Sequence, residues 1–304
     1  MEPCIIKKMK KLVLMILVFL LAGCSAAEET IPVVIDQTAK VSYLGPRGTY
    51  TEEACKTFFD EQASLQPYET VADAVEALLN GESRYAVIPQ ENTIGGAVID
   101  YVDILIAHPS LSVVGEVELP ITQNLLSLPG AELSQIRTVY SHPQGLTQGA
   151  EWLKTNLPEA ETVVVSSTAE GARLVAEGND PSCAAIASAG SAEVYGLKVL
   201  APGIQNSDFN KTRFYVLSTE QAATESADRL AFLASGPAEE LPALMKKMEE
   251  LKMVLVAIHD RPLKTELGHY VYVIECAGSS YGDYQKLCQQ SSLEFRYLGS
   301  FSVK

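Results

Sequence analysis

The stretch Lys40-Val-Ser-Tyr-Leu-Gly-Pro-Arg-Gly-Thr-Tyr-Thr-Glu52 decides the fold, because it contains a strand, a turn and a helix start in direct succession. Residues 41–44 predict a short strand, and the glycines and proline of residues 45–48 predict a turn. Thr49, followed three residues later by Glu52, is the capping-box signature of a helix N-terminus. A strand followed by a helix is the repeating unit of α/β folds.

The same alternation continues outward along the chain. Further strands are predicted at residues 85–88, 138–141, 162–165 and 184–186. Helices are predicted from Thr70 to Gly81, over residues 143–156, from Ser167 onward, and over residues 188–195. This order predicts an α/β fold with a mostly parallel sheet covered by helices on both faces.

The order of elements changes after a polar linker at residues 221–228. Strands are predicted at residues 229–233, 253–258, 269–275 and 293–301, and helices at residues 241–251 and 284–290. The resulting βαββαβ order is typical of a ferredoxin-like domain. A separate C-terminal domain is therefore predicted over residues 229–304.

The N-terminus has the features of a bacterial lipoprotein signal. Four lysines between residues 7 and 11 precede the apolar run 12–21, which is shorter than the about 20 residues of a membrane-spanning helix. Leu21-Ala-Gly-Cys24 resembles the lipobox, whose cysteine is acylated and becomes the mature N-terminus. Residues 1–23 are therefore the predicted signal peptide, Cys24 the lipidation site and residues 24–39 a tether. The predicted location is the exported face of the cell membrane.

Other interpretations of this segment stay open. Cys24 could follow an ordinary cleaved signal by chance, and translation could start at Met9, which begins a more conventional signal than Met1. The segment could also be a misassigned start on a cytoplasmic enzyme. Against that last interpretation, the apolar run has no role in a water-soluble fold and ends at a lipobox.

Composition and charge narrow the function. The chain has 304 residues, of which 47% are hydrophobic and 20% charged, so it can bury a substantial core and is not a disordered chain. The formal charge is −15, and removal of residues 1–23, with four lysines and one glutamate, takes it to −18. This charge disfavours nucleic acid as a partner. Cysteines and histidines show no metal-ligand spacing, so no metal site is predicted.

Polar segments next to the predicted strands are the candidate site. Ligands of open α/β sheets bind at the carboxyl ends of strands, beside helix N-termini. The suitable segments are residues 45–49, 89–96, 141–144, 166–169 and 210–214. Taken singly, each is better explained as a turn or a helix cap. The sequence contains no Gly-x-Gly-x-x-Gly, Walker or Gly-x-Ser-x-Gly motif, which argues against nucleotide binding and serine hydrolysis.

Taken together and in this order, the segments resemble the prephenate dehydratase family over residues 40–218. The matching motifs are Tyr43-Leu-Gly-Pro-Arg-Gly-Thr-Tyr50, Pro89-Gln-Glu-Asn-Thr-Ile-Gly-Gly-Ala-Val98, His142-Pro-Gln-Gly-Leu-Thr-Gln148, Ser167-Thr-Ala169 and Asn210-Lys-Thr-Arg-Phe214. Thr93 replaces the usual serine of the second motif. Residues 229–303 more weakly resemble an ACT regulatory domain. The resemblance implies a two-lobed, periplasmic-binding-protein-like dehydratase domain over residues 40–220, followed by a ferredoxin-like ACT domain.

The resemblance also implies a reaction and a set of site residues. Prephenate would lose carbon dioxide and its ring hydroxyl to give phenylpyruvate, a step of L-phenylalanine biosynthesis that needs no cofactor. Thr212, Arg213 and Phe214 would form the catalytic triplet, with Thr212 as proton donor and Arg213 as partner of a carboxylate. A salt bridge to a neighbouring acid is the other interpretation of Arg213. The remaining predicted substrate-binding residues are Thr49, Asn92, Thr93, Gln144, Ser167 and Thr168.

A lipid-anchored receptor for an aromatic or dicarboxylic acid is the alternative function. Retention of Thr212 favours the enzyme, because a receptor has no need of a proton donor. The C-terminal domain is expected to hold a homodimer or higher oligomer together. Phenylalanine binding there is not expected, because a gapless pairing back from Arg261-Pro262 puts Glu239 and Glu240 where the family usually has Gly-Ala, and Val254 where it usually has Asn.

Overall fold

The computed structural model describes residues 34–220 and 227–304. The predicted signal peptide, Cys24, residues 24–33 of the tether and residues 221–226 of the linker lie outside the described residues. No helix within the two described ranges is long and apolar enough to cross a membrane.

The described residues form three sheets with α-helices packed around them. In chain order the strands are β1 (Lys40–Leu44), β2 (Ser64–Tyr68), β3 (Tyr85–Asn92), β4 (Gly96–Ala97), β5 (Ser112–Pro120), β6 (Asn124–Ser127), β7 (Thr138–Ser141), β8 (Glu161–Val164), β9 (Cys183–Ala187), β10 (Lys198–Ala201), β11 (Lys211–Ser218), β12 (Arg229–Pro237), β13 (Val254–Pro262), β14 (His269–Ala277) and β15 (Glu294–Phe301). The α-helices are α1 (Tyr50–Phe58), α2 (Val71–Leu79), α3 (Ile99–Ala107), α4 (Pro143–Gln148), α5 (Ala150–Asn156), α6 (Thr168–Gly178), α7 (Ala189–Tyr195), α8 (Leu241–Glu250) and α9 (Tyr281–Gln290).

The first two sheets form two lobes. The first lobe has the order β2-β1-β3-β11-β5, with β4 paired to β3, and the second has the order β10-β6-β9-β7-β8. The chain passes from the first lobe to the second after β5 and returns before β11. The predicted two-lobed α/β architecture is therefore confirmed.

The prediction of a mostly parallel sheet is wrong for both lobes. In the first lobe β11 runs antiparallel to both of its neighbours, β3 and β5. In the second lobe β6 runs antiparallel to β9 and β10. The chain crosses between the lobes just before β6 and again just before β11. These two strands therefore enter their sheets without the helical crossover that makes neighbouring strands parallel.

Local start signals predicted the helices well. Thr49 Oγ1 accepts a hydrogen bond from Glu52 N (3.4 Å), and Ser167 Oγ accepts one from Glu170 N (3.0 Å). The predicted helix over residues 143–156 is interrupted at Gly149 and forms α4 and α5. A Cβ atom at Gly149 would lie 2.9 Å from Ile186 Cδ1, so the glycine allows close packing on β9.

Two of the candidate segments are strands and not loops. Residues 89–92 belong to β3 and residues 211–214 belong to β11, and the two strands pair with each other. Seven of the described strands and α-helices went unpredicted, namely β2, β4, α3, β5, β6, β10 and β11. In β5, Gly115, Glu116 and Glu118 interrupt the apolar residues and hide the strand pattern.

The C-terminal sheet has the order β13-β14-β12-β15 and is antiparallel throughout, with the predicted βαββαβ succession. It packs on the first lobe through a shared hydrophobic core. That core combines Tyr215 and Leu217 of β11 with Leu233, Val273 and Phe301 of the C-terminal sheet. One face of β11 therefore contacts the C-terminal sheet, which leaves the other face for α1 and the space between the lobes.

Candidate active site

A cleft of about 240 Å³ lies between the two lobes. It is lined by Leu44, Thr49, Tyr50, Thr51, Asn92, Ile121, Gln123, His142, Gln144, Gly145, Gln148, Ser166, Ser167, Thr168, Thr212 and Phe214. Among these described residues there is no Asp, Glu, Lys or Arg. An adjoining pocket of about 990 Å³ shares Thr49 and Ser167 with the cleft and carries charged side chains, including Glu69, Glu170 and Arg173. The charges therefore lie outside the inner cleft.

Thr212 places its hydroxyl in this cleft. Asn92 Nδ2 donates a hydrogen bond to Thr212 Oγ1 at 2.9 Å. Because the oxygen accepts in this contact, the hydroxyl hydrogen is available for donation to a ligand. The incoming hydrogen bond also polarises the hydroxyl and makes it a stronger donor.

The side chain of Asn92 is held by hydrogen bonds from groups of both lobes. Its Oδ1 accepts from the backbone N–H groups of Ile94 (3.0 Å) and Gly95 (2.9 Å), which assigns the oxygen and nitrogen of the amide. Gln144 Nε2, from α4 of the second lobe, donates to the same oxygen at 3.2 Å. Asn92 thus joins the lobes directly beside Thr212.

Two helix N-termini point into the cleft. The capping residues Thr49 of α1 and Ser167 of α6 both line it, and so does Thr168, the first residue of α6. The first N–H groups of a helix have no partner within the helix and carry a partial positive charge. The cleft therefore offers anion-binding groups without a charged side chain.

His142 is a lining residue that lies in the candidate segment 141–144 but was not among the predicted substrate-binding residues. Its Nδ1 accepts from Gln144 N at 3.3 Å, so it caps α4. Burial lowers the pKa of His142 below its ordinary value of 6.5, which keeps the imidazole neutral at pH 7. The inner cleft is then uncharged at neutral pH.

Arg213 does not lie where the sequence predicted. Successive side chains of a strand point to opposite faces, so Thr212 and Phe214 face the cleft and Arg213 faces away from it. Its guanidinium pairs with Glu116, with Nε–Oε1 at 2.7 Å and Nη2–Oε2 at 2.9 Å. The structure thus matches the salt-bridge interpretation of Arg213 and corrects its assignment as the partner of a substrate carboxylate.

Thr93 and Phe214 are also placed differently from what a direct contact with substrate would require. Thr93 Oγ1 donates to Phe209 O (2.9 Å) and accepts from Lys211 N (3.0 Å), and it does not line the cleft. Its predicted substrate contact is therefore corrected to a link between β3 and β11. Phe214 lines the cleft but is 2% exposed, and most of its ring packs in the core against α1.

Arg213 belongs to a buried network on the far side of β11. Glu91 contacts its Nη1 (3.2 Å), and Glu275 of the C-terminal sheet contacts its Nη2. Arg229 Nε lies 3.2 Å from Glu275 Oε1. Burial raises the pKa of Glu116 to about 7, and the nearby charge of Glu275 adds to this, while Arg213 opposes it. Two guanidinium groups here face three carboxyl groups.

Several lining residues had not been predicted. Ser166 is adjacent to the predicted Ser167 and belongs to the same polar segment. Gln123 and Gln148 are buried and hydrogen-bonded to each other at 2.8 Å. Gln148 ends the motif of residues 142–148, whereas no local pattern marks Gln123. Within the described part of the chain, no group of three His, Cys, Asp or Glu residues could hold a metal ion.

Comparison with known proteins identifies a family. Residues 41–222 match the family model described as "Prephenate dehydratase". The bifunctional chorismate mutase/prephenate dehydratase of Neisseria gonorrhoeae is 35% identical over 246 residues, which is 80% of this chain and 68% of that protein. The prephenate dehydratase of Lactococcus lactis subsp. cremoris is 32% identical over 78% of this chain and 86% of that protein.

A solved structure agrees with these relatives. Prephenate dehydratase from Arthrobacter aurescens, in complex with L-Phe, superposes with a TM-score of 0.77 at 31% identity. The match covers 86% of this chain and 89% of that chain, so it extends through the C-terminal sheet.

The raised pKa of Glu116 predicts a pH dependence of stability. Burial makes the folded protein bind the Glu116 proton more tightly than the unfolded chain does, even though the ion pair with Arg213 opposes this shift of the pKa. The folded state therefore binds more protons between the unfolded and folded pKa values, and the contribution of Glu116 to stability falls as pH rises, by up to about 1.4 kcal/mol per pH unit. Glu116→Gln cannot titrate, so between pH 5 and pH 7 its free energy of unfolding should fall less than that of the wild type.

Urea unfolding at several pH values measures how steeply the free energy of unfolding falls with pH in the variant and in the wild type. Glu161→Gln, on exposed β8, is the control and should keep the wild-type slope. Equal slopes for Glu116→Gln and the wild type would contradict the raised pKa.

Proposed function

Because the chain belongs to the prephenate dehydratase family, whose members are carbon–oxygen lyases, we propose that its cleft converts prephenate to phenylpyruvate with Thr212 as the proton donor. The observation that carries this proposal is the hydrogen bond from Asn92 to Thr212, which leaves the hydroxyl hydrogen free for the substrate. The product is the keto acid that precedes L-phenylalanine in its biosynthesis.

The proposed reaction is an elimination across the ring. The bond between the ring and its carboxylate breaks, its electron pair moves into the ring, and the hydroxyl leaves from the opposite carbon. The ring becomes aromatic, carbon dioxide is released, and the leaving hydroxide becomes water by taking the Thr212 proton, which solvent water then replaces. Thr212 donates its hydrogen toward the leaving oxygen, where a hydrogen bond strengthens as negative charge develops.

The uncharged lining of the cleft suits this reaction. The ring carboxylate loses its charge as carbon dioxide departs, so a guanidinium paired with it would stabilise the substrate more than the transition state. Arg213 is instead occupied by Glu116 on the other face of β11. We propose that the N-termini of α1 and α6, with Ser167 and Thr168, hold the keto-acid carboxylate, which keeps its charge throughout.

Replacing Thr212 by Val tests the proton donor. Val keeps the volume and removes the hydroxyl, so kcat should fall by about 10²–10⁴-fold, the usual contribution of a placed acid. KM for prephenate should change by less than about threefold, because the carboxylate contacts remain. Phenylpyruvate formation is measured spectrophotometrically. Thr57→Val, on the exposed side of α1, is the control and should match the wild type.

Two results would argue against this role. A Thr212→Val variant with near-normal kcat excludes Thr212 as the donor. A wild-type chain that binds prephenate but forms no phenylpyruvate favours the receptor function instead.

We further propose that the enzyme is exported and anchored to the cell membrane by lipid on Cys24. Four lysines, a short apolar run and the Leu21-Ala-Gly-Cys24 lipobox support this proposal. Residues 24–34 would tether the first lobe to the anchor, which shortens the predicted tether of residues 24–39, because Ile35 and Ala39 already pack in the core of that lobe and Asp36 forms an ion pair with Arg84. The substrate would then have to be available outside the cytoplasm.

Replacing Cys24 by Ser tests the anchor. The variant should lose acylation and move from the membrane fraction to the soluble or unprocessed pool, because the apolar run alone is too short to span a bilayer. Cell fractionation with mass spectrometry of the N-terminus measures this. Cys55→Ser, in the buried face of α1, controls for the loss of a thiol and should stay in the membrane fraction. Membrane retention of a fully processed Cys24→Ser protein would contradict a lipid anchor.

We also propose that the C-terminal sheet is an ACT domain that holds copies of the chain together without sensing phenylalanine. Its outer strand β13 carries the exposed apolar residues Val254, Leu255 and Val256, which supports assembly through this edge. Glu239 and Glu240 lie in the 3₁₀ turn Ala238–Glu240 that precedes α8. Two carboxylates there would repel the carboxylate of a bound amino acid.

Calorimetric titration tests this loss of sensing. Phenylalanine at millimolar concentration should give no binding heat, and prephenate turnover should be unchanged. The matched variant Glu239→Gly/Glu240→Ala removes both carboxylates and is the comparison. Tight binding with inhibition of the wild type would show that the site tolerates these residues.

A further inference from the structure

Glu275 joins the C-terminal sheet to the strand that carries Thr212. It lies on β14, its side chain is 1% exposed, and it extends into the first lobe. There it accepts hydrogen bonds from Tyr215 Oη (2.6 Å) and Gln90 Nε2 (3.1 Å), and it contacts the guanidinium of Arg213. The carboxyl group of one domain is thus bound by three side chains of the other.

These three side chains lie on the two strands that form the reacting end of the cleft. Arg213 and Tyr215 belong to β11, and Gln90 belongs to β3. Arg213 follows Thr212 directly, and Gln90 lies two residues before Asn92. Glu275 therefore contacts residues close to both Asn92 and Thr212, whose hydrogen bond orients the Thr212 hydroxyl.

The pairing of β3 with β11 is irregular at this point. Arg213 is opposite Glu91 and Phe214 is opposite Pro89, so Gln90 is an extra residue that has no partner on β11. A bulge of this kind re-aims the neighbouring side chains, and its geometry depends on what holds the extra residue. Gln90 is 1% exposed, and its amide is held by Glu275.

From the other side, Arg213 fixes β11 between its neighbours. Its guanidinium bonds to Glu116 on β5 and to Glu91 on β3, and its third contact is with Glu275. Loss of Glu275 would leave Nη2 with Glu116 alone and would release Gln90. Both changes act on the strand segments next to Asn92 and Thr212, while the cleft lining itself is untouched.

We propose that Glu275 is a positioning residue for the dehydration, which sets the direction of the Thr212 hydroxyl by holding Arg213 and the Gln90 bulge. This inference rests on the proposed role of Thr212. Glu275 does not touch the substrate, so its removal should affect the chemical step more than substrate binding. A displacement of about 1 Å at a reacting group can lower the rate about 10²-fold.

The test uses Glu275→Gln in the full chain. We expect kcat to fall by about 10- to 100-fold, with KM for prephenate within about threefold of the wild type. Asp103→Asn is the matched control. Asp103 on α3 bonds to Arg261 on β13 at 2.6 and 2.7 Å, so it too joins the first lobe to the C-terminal sheet, but its side-chain hydrogen bonds and ion pair go to Arg261 and not to β11. Its kcat and KM should stay within about twofold of the wild type.

Both variants are assayed well below their measured unfolding temperatures, which separates positioning from stability. A purely structural role would lower the unfolding temperature of Glu275→Gln and leave kcat of the folded protein unchanged. Tyr215→Phe is a milder variant for the case that Glu275→Gln does not fold. It removes only the hydrogen bond of 2.6 Å to Glu275, and its kcat should fall about three- to tenfold with KM unchanged.

The outcomes distinguish this inference from the proposed function. A wild-type chain that forms no phenylpyruvate overturns both. An active wild type overturns the positioning role alone if Glu275→Gln keeps its kcat, or if Asp103→Asn loses as much activity as Glu275→Gln does. Should only Tyr215→Phe fold, an unchanged kcat in that variant overturns the role equally.

Discussion

The bidentate ion pair between Arg213 and Glu116 determines how the rest of the site is arranged. Both side chains are largely buried, and Glu116 lies on β5 while Arg213 lies on the adjacent β11. A buried guanidinium needs a carboxylate partner, and this need fixes which face of β11 turns toward the C-terminal sheet. Because side chains alternate along a strand, Thr212 and Phe214 must then face the cleft. The charged network and the Thr212 hydroxyl thus lie on opposite faces of one strand.

The charged side chains are therefore kept apart from the inner cleft. The inner cleft presents hydroxyl, amide and backbone N–H groups, while the carboxyl and guanidinium groups lie behind β11 or in the outer pocket. A dianionic substrate can be held by helix N-termini even though the whole chain is negative, because charges farther than about 8 Å are screened at physiological salt. A neutral surrounding suits a step in which a carboxylate becomes carbon dioxide.

Local patterns predicted much of this molecule, and distant contacts explain what they missed. Thr49 and Ser167 were predicted correctly as helix caps because the capping-box signal spans only four consecutive residues. The face used by Arg213 could not be read from Asn210-Lys-Thr-Arg-Phe214, since its polar residues do not alternate with apolar ones. Its partners Glu116 and Glu275 lie 97 and 62 residues away in sequence. Glu116 also belongs to β5, which was not predicted, so the ion pair could not be anticipated.

The most direct test of this two-faced strand is a crystal structure with ring-saturated prephenate, which keeps both carboxylates and the ring hydroxyl but cannot become aromatic. We expect the ring hydroxyl to lie about 3 Å from Thr212 Oγ1, with Asn92 still donating to that oxygen. Arg213 should remain paired with Glu116, and no guanidinium should contact the ring carboxylate. A structure in which Arg213 leaves Glu116 and binds a carboxylate of the ligand would contradict the account.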